Sequence, residues 1–106
     1  MERIKKFTLY LGLNDKDSKV QEISTVEAYK IVTRMLAAKF GGGTVFEATG
    51  VYKHVPERQI VIETTLRIEI LFADEADVRS FVEELKKLFN QKEIAVQSEV
   101  IQSELW

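Results

Sequence analysis

The chain has 106 residues, 45% of them hydrophobic and 30% charged, and residues 1–106 are predicted to form one domain with a single modest core. Fifteen lysines and arginines stand against 17 aspartates and glutamates, so the formal net charge is -2. This balance gives no electrostatic basis for binding nucleic acid or an anionic membrane. No apolar run approaches the ~18 residues that span a bilayer.

The N-terminal segment MERIKKFTLYLGL combines basic residues with a short apolar run, as signal peptides do. Its apolar residues alternate with Thr8 and Tyr10, however, and no small-residue cleavage site follows. We therefore predict a strand and a cytoplasmic protein. The absence of cysteine fits a reducing compartment and excludes disulfides, thiolate metal sites and cysteine nucleophiles.

The first half of the chain has the pattern strand, helix, strand. Residues 4–13 alternate with period two, which predicts a half-buried strand, and the polar residues 14–22 predict a loop. Ser24 and Glu27 form the capping box of a helix, and Gly41 follows where a left-handed cap is expected. The apolar stripe of this helix consists of Tyr29, Val32, Met35, Leu36 and Phe40.

The second half has the pattern strand, strand, helix, strand. Residues 44–53 and 60–72 are predicted strands, joined by a turn in HVPERQ. Asp74 is a candidate N-cap for the second helix, and a strand at 93–105 follows, with a bulge predicted near Val100–Ile101. The apolar stripe of the second helix consists of Val78, Phe81, Val82, Leu85, Leu88 and Phe89.

The order β-α-β-β-α-β predicts an α+β, ferredoxin-like fold, in which a four-stranded antiparallel sheet carries both helices on one face. The other face has no helix and bears Tyr10, Glu63, Thr65, Arg67 and Glu69. Such a face is either exposed to solvent or packs against a second sheet. We predict an interface between copies that includes Tyr10, Glu63, Arg67 and Glu69. The alternative, a catalytic carboxylate pair, would need a cleft and perturbed pKa values.

Two short segments have alternative functional interpretations. The glycines 41–43 follow a helix and precede a strand, which is the reverse of a phosphate-binding loop. They are typical of a helix end, or of a flexible loop that contacts a ligand. The predicted hairpin turn is surrounded by Lys53, His54 and Arg58. It is either a solvated turn or a mobile basic loop that contacts an anionic ligand or a partner protein. A lone histidine cannot form a multi-histidine metal site.

The remaining candidates are a polar loop and the C-terminus. The segment NDKDSK has the alternating acids of a calcium loop but lacks the glycine and the closing glutamate, so we predict a solvated loop and no metal site. Trp106, beside Leu105, is either frayed or docked on a neighbouring subunit. No residue pattern specifies a cofactor.

Three segments, FTLYLGLNDKD, GGTVFEATGVYKH and TTLRIEILFADEADVRSFVEELKKLF, together resemble small proteins of the PII-like superfamily, ferredoxin-like relatives of nitrogen-regulatory PII. In PII-like trimers, nucleotides bind between subunits, and a long loop after the second strand engages target proteins. The resemblance implies ligand-binding positions in that region of this chain: Gly50, Tyr52, Lys53, His54 and Arg58. The loop here is much shorter than a PII target-binding loop.

A second resemblance is to uncharacterised small bacterial and phage-type proteins, and it implies no activity. Three functions therefore stay open. The first is a non-enzymatic, PII-like regulatory dimer or trimer that binds a partner or a small anion such as a nucleotide. The second is a small dimeric α/β-barrel enzyme with a polar pocket between helices and sheet and His54 or Tyr10 as acid-base group. The third is an accessory protein of a mobile element without a small-molecule ligand.

Overall fold

The computed structural model describes residues 1–55 and 58–106. The elements are β1 (Glu2–Gly12), α1 (Thr25–Phe40), β2 (Thr44–His54), β3 (Gln59–Leu71), α2 (Glu75–Leu88) and β4 (Ala95–Ser103). The strand order in the sheet is β2-β3-β1-β4, and all three neighbouring pairs are antiparallel. The predicted α+β, ferredoxin-like fold is confirmed. Neither helix of the described chain is long and apolar enough to cross a bilayer.

The hydrophobic core lies between one sheet face and the two helices. The rings of Phe40 from α1 and Phe81 from α2 meet edge to face, with centroids 5.4 Å apart. This core fills the central volume between both helices and the sheet, which leaves a central pocket of the barrel-enzyme kind no room there. The buried apolar side chains are Phe7, Leu9, Leu11, Leu13, Ala28, Val32, Leu36, Leu66, Ile68, Ile70, Val78, Phe81, Leu85 and Phe89.

The ends of α1 follow the sequence signals. Ser24 accepts a hydrogen bond from the Glu27 backbone N–H at 3.2 Å, which satisfies one donor of the first turn. Gly41 has a φ of 76°, and its N–H donates to the Ala37 carbonyl at 3.0 Å. The first glycine of the triple therefore ends the helix, as predicted. Asp74 occupies the N-cap position of α2, but its side chain accepts no capping hydrogen bond.

The fold differs from the sequence predictions at β4 and in α2. The pairing of β1 with β4 runs without interruption from Glu2–Ser103 to Tyr10–Ala95, so the bulge predicted near Val100–Ile101 is wrong. The bulge was predicted because Val100 and Ile101 are both apolar, which interrupts the alternation of apolar and polar residues. In the structure these two neighbours point to opposite faces of the regular edge strand. Leu88, assigned to the apolar stripe of α2, is 52% exposed.

The hairpin of β2 and β3 extends beyond the rest of the sheet. These strands pair from Thr44–Glu69 to His54–Gln59, whereas the ladder between β1 and β3 ends at Gly12–Thr65. We call residues 49–55 and 58–64 the arm. Because the arm projects from the body, the molecule is elongated, with dimensions of 48 × 25 × 22 Å.

Candidate functional site on the helix-free face

Strand register places the predicted interface residues side by side on the helix-free face of the sheet. Tyr10 of β1 lies opposite Arg67 of β3, and Thr8 lies opposite Glu69. Phe46 of β2 flanks Arg67 on its other side. Side chains of directly opposed residues on one face are close enough to interact, so three adjacent strands contribute to one polar surface.

Glu69 is at the centre of an ion-pair network. Its Oε2 atom lies 2.5 Å from Arg67 Nη2 and 3.3 Å from Lys6 Nζ, and its side chain is only 17% exposed. The Arg67 guanidinium also lies over the Phe46 ring, 5.2 Å from the centroid. Two cations thus neutralise Glu69 and hold it in place. Within residues 1–55 and 58–106, the buried Nε of Arg67 has no hydrogen-bond partner.

Glu63 is a second carboxylate on this face, and it is held by the backbone. The Asn14 N–H donates to Glu63 Oε2 at 3.0 Å. Gly12 makes this position accessible, since a Cβ atom there would lie 2.8 Å from Glu63 Cδ. No lysine or arginine in the described part of the chain forms an ion pair with Glu63. Among the described residues, Glu63 is therefore a positioned carboxylate without a cationic partner.

Gly50 lies opposite Glu63 in the β2–β3 ladder. A Cβ atom on Gly50 would come 2.6 Å from Thr65 Oγ1, so this glycine leaves room for the threonine hydroxyl. Thr65 and Thr8 are each only 7% exposed although no helix covers them. The two glycines therefore allow polar side chains to pack closely around Glu63.

Aromatic side chains flank these polar groups. The Tyr10 hydroxyl donates to Gln97 Oε1 at 3.3 Å. Phe46 and Tyr52 are 43% and 45% exposed, respectively. A depression of about 410 Å³ lies on β1 and β4, on the Gln97 side of the sheet, and its lining residues are Lys6, Thr8, Gln97, Ser98 and Glu99. Exposed rings beside charged groups are suited to a ligand with a planar, aromatic part.

The five predicted ligand-binding residues do not form one cluster. Gly50, Tyr52 and His54 lie on the helix-free face, whereas strand alternation directs Lys53 to the opposite face. Arg58 lies in the turn, with a φ of 57°. The other two residues of the predicted turn, Pro56 and Glu57, fall outside the described residues.

Trp106 lies beyond the end of β4 and is 97% exposed. Its indole N–H donates to Glu104 Oε1 at 2.5 Å. Its neighbour Leu105 lines a depression that also includes Lys6 and Glu69, and the predicted docking of Trp106 on another subunit stays a prediction. In the described residues, no three histidine, aspartate or glutamate side chains come together as metal ligands would.

The polar loop after β1 is more ordered than the sequence predicts. The Asn90 side chain donates to both carboxylate oxygens of Asp15 and to Asp17, which ties the loop to the end of α2. Hydrogen bonds from the Ser18 N–H, Asn90 and the Asp17 N–H lower the pKa of Asp15 below its ordinary value of 3.8. This loop contains Asn14, so it also fixes the donor that positions Glu63.

The sequence matches the family model DUF3574, described as a protein of unknown function, over residues 6–103. The chain therefore belongs to this family. No curated protein matches the chain.

Two solved structures of a phage SAM lyase are similar to this chain. The complex with S-methyl-5'-thioadenosine matches with a TM-score of 0.62 and 21% identity, covering 97% of this chain and 92% of that one. The apo structure matches with a TM-score of 0.59 and 21% identity, covering 100% and 98% of the two chains. At this identity the likeness shows a common fold.

Proposed function

We propose that this member of the DUF3574 family is a homo-oligomeric, cytoplasmic protein that binds a positively charged nucleoside on its helix-free sheet face. The proposed ligand class is that of S-adenosylmethionine, in which a sulfonium joins a 5'-deoxyadenosyl group to an amino-acid end with an ammonium and a carboxylate group. An enzyme acting on such a ligand fits better than a PII-like regulator, because the similar phage protein is a SAM lyase.

The observation that carries the proposal is the placement of Glu63. Its carboxylate is fixed by the Asn14 N–H and has no cationic partner in the described chain. A carboxylate that is held in place but not neutralised favours a cationic ligand. Glu69 differs, since Lys6 and Arg67 already neutralise it.

The surroundings of Glu63 support a nucleoside ligand. Tyr52, two residues beyond the partner of Glu63 on β2, offers a half-exposed ring on which an adenine could stack, and the Thr65 hydroxyl contacts the Gly50 position opposite Glu63. No helix covers this face, so a second copy is proposed to close it and exclude water from the ligand.

The other hypotheses have less support. A PII-like site for a small anion would use Lys53, His54 and Arg58, but strand alternation separates Lys53 from His54. The barrel-type enzyme needs its acid-base group between helices and sheet, but both candidates, Tyr10 and His54, lie on the helix-free face. The accessory protein of a mobile element predicts that no small molecule binds at all.

Isothermal titration calorimetry against S-adenosylmethionine and S-adenosylhomocysteine tests the proposal, because these ligands differ in the charge on sulfur. The wild-type protein should prefer S-adenosylmethionine, and Glu63→Gln should remove about tenfold or more of that preference. Glu47→Gln is the matched control, since Glu47 lies on the same hairpin but on the opposite face.

Three results would count against the proposal: no binding of either ligand, equal binding of both, or an equal effect of the two substitutions. Tighter binding of ATP than of S-adenosylmethionine would favour the PII-like alternative. Chromatography of the reaction mixture for S-methyl-5'-thioadenosine then separates an enzyme from a protein that only binds.

A further inference from the structure

The chain exposes more surface than a compact monomer of its size. A folded monomer of this mass is expected to expose about 6,100 Å², whereas this chain of 12.2 kDa exposes 7120 Å². The excess of about 1,000 Å² is close to the ~800 Å² that each partner buries in a standard protein interface. The radius of gyration is 14.7 Å, against about 13 Å for a compact chain of this length. The projecting arm contributes to both differences, as does the exposed C-terminus.

The arm presents an apolar surface on its helix side. Val51 and Ile62 are directly paired there and are 65% and 66% exposed, and Ile60 is 69% exposed. Lys53 is paired with Ile60 on the same side. Contiguous exposed aliphatic side chains on a projecting hairpin are typical of an interaction surface.

A groove of complementary character lies between α2 and β4. It encloses about 560 Å³, and Val78, Val82 and Val96 are among its apolar lining residues. Val96 is 45% exposed because α2 leaves the edge strand uncovered. Glu75, Arg79 and Glu83 also line the groove. Glu75 forms an ion pair with Arg79, and Glu83 forms one with Lys86.

We propose that the helix side of the arm of one copy packs into the groove between α2 and β4 of a neighbouring copy. The aliphatic side chains Val51, Ile60 and Ile62 would cover Val82 and Val96, which are not fully buried. Lys53 would face the glutamates of the groove. The groove is lined by two carboxylates and one guanidinium, so Lys53 would add a cation where one negative charge is in excess, and the contact would bury the surface that is in excess in the monomer. This inference rests on the proposed homo-oligomer but is independent of the proposed ligand.

The contact joins two different surfaces of the chain, so it is a heterologous interface. Such a contact produces a closed ring when the rotation between copies closes and an open filament when it does not. Since every protomer has one arm and one groove, each copy would make two such contacts within a ring.

The absence of cysteine allows a direct cross-linking test on the full chain. Ile62→Cys and Val96→Cys each replace an exposed residue, so both variants are expected to fold, which circular dichroism verifies. Under mild oxidation, a mixture of the two variants should give about tenfold more cross-linked pair than either alone, because docking raises the effective concentration of the two thiols. The double variant should form either a cross-linked ring of definite size or a ladder of cross-linked oligomers.

Several results would overturn the inference. Rapid cross-linking of Ile62→Cys alone would show that arms pair with arms. Rapid cross-linking of Val96→Cys alone would show that grooves pair with grooves. An oligomer without the mixed cross-link would reject this contact but leave the proposed oligomer intact. A monomer in light scattering would reject both the contact and the proposed oligomer. The calorimetric test of Glu63 does not depend on this result.

Charge exchange provides a second test that introduces no thiol. Lys53→Glu should weaken association about threefold to fivefold in sedimentation equilibrium, and Glu83→Lys in the same chain should restore it. Lys92→Glu, an exposed loop substitution outside both surfaces, is the control. Equal weakening by Lys53→Glu and Lys92→Glu, or no restoration by Glu83→Lys, would contradict the proposed pairing.

Discussion

Glu63 and Gly12 are 51 residues apart in sequence, yet the carboxylate of Glu63 occupies the space in which a side chain of residue 12 would begin. A Cβ atom on Gly12 would lie 2.9 Å from Oε2, the oxygen that accepts the Asn14 hydrogen bond. The absence of a side chain at the end of β1 thus determines where a carboxylate of β3 is held.

The first prediction is that Gly12→Ala displaces the Glu63 carboxylate without unfolding the protein. The flexible end of a glutamate can move, so the main loss is the hydrogen bond from Asn14, and the free energy of unfolding should fall by about 1 kcal/mol. Urea denaturation measures this change. In a Glu63→Ala background the same Gly12→Ala substitution should cost almost nothing, and an undiminished cost there would show that the contact is not responsible.

The second prediction concerns the end of α1. Gly41 has a φ of 76° and open space where a Cβ atom would be, so Gly41→Ala should destabilise the protein through backbone strain alone, by about 1 kcal/mol. Gly41→Asn should cost clearly less, because asparagine tolerates the left-handed conformation better. Equal stability losses for the two variants in urea denaturation would argue against this explanation.

The fold was predictable because local signals and periodicity agreed. The alternation of Phe7, Leu9 and Leu11 predicted the buried face of β1, and the capping box at Ser24 predicted the start of α1. At β4 the pattern is weaker because most of an edge strand is exposed, so two apolar neighbours were interpreted as a bulge.

The candidate site was predictable only in part. Period-two alternation placed Glu63, Arg67 and Glu69 on one face, but it does not distinguish a neutralised carboxylate from one without a counter-charge. That difference depends on Lys6 and Asn14, which approach β3 through tertiary pairing. The sequence signals for the Glu63 position are Gly12 and Gly50, two glycines within predicted strands.

The third prediction is a pH dependence of stability that arises from Asp15. Hydrogen bonds from the Ser18 N–H and Asn90 lower the folded-state pKa of Asp15 below 3.8. The unfolded chain therefore binds the proton first, so the stabilisation is fully present above pH 3.8 and is lost as the pH falls through the lower folded-state pKa. Asp15→Asn should flatten the stability profile in this acidic range.

The measurement is the urea midpoint at a series of pH values between neutral and strongly acidic. Glu93→Gln, a substitution in an exposed loop, is the control and should leave the acidic slope unchanged. If the urea midpoint falls equally steeply with decreasing pH in wild type and in Asp15→Asn, other carboxylates cause the acid sensitivity.

The fourth prediction separates two apolar residues of α2 that the sequence pattern treats alike. Phe81 is fully buried and contacts the ring of Phe40, whereas Leu88 is 52% exposed. Phe81→Ala should lower the free energy of unfolding by about 3–5 kcal/mol, through lost burial and the cavity left behind. Leu88→Ala should change it by about 0.5 kcal/mol or less in the monomer. Both values follow from urea denaturation at low protein concentration, and a large loss at Leu88 that grows with protein concentration would place this residue in an interface between copies.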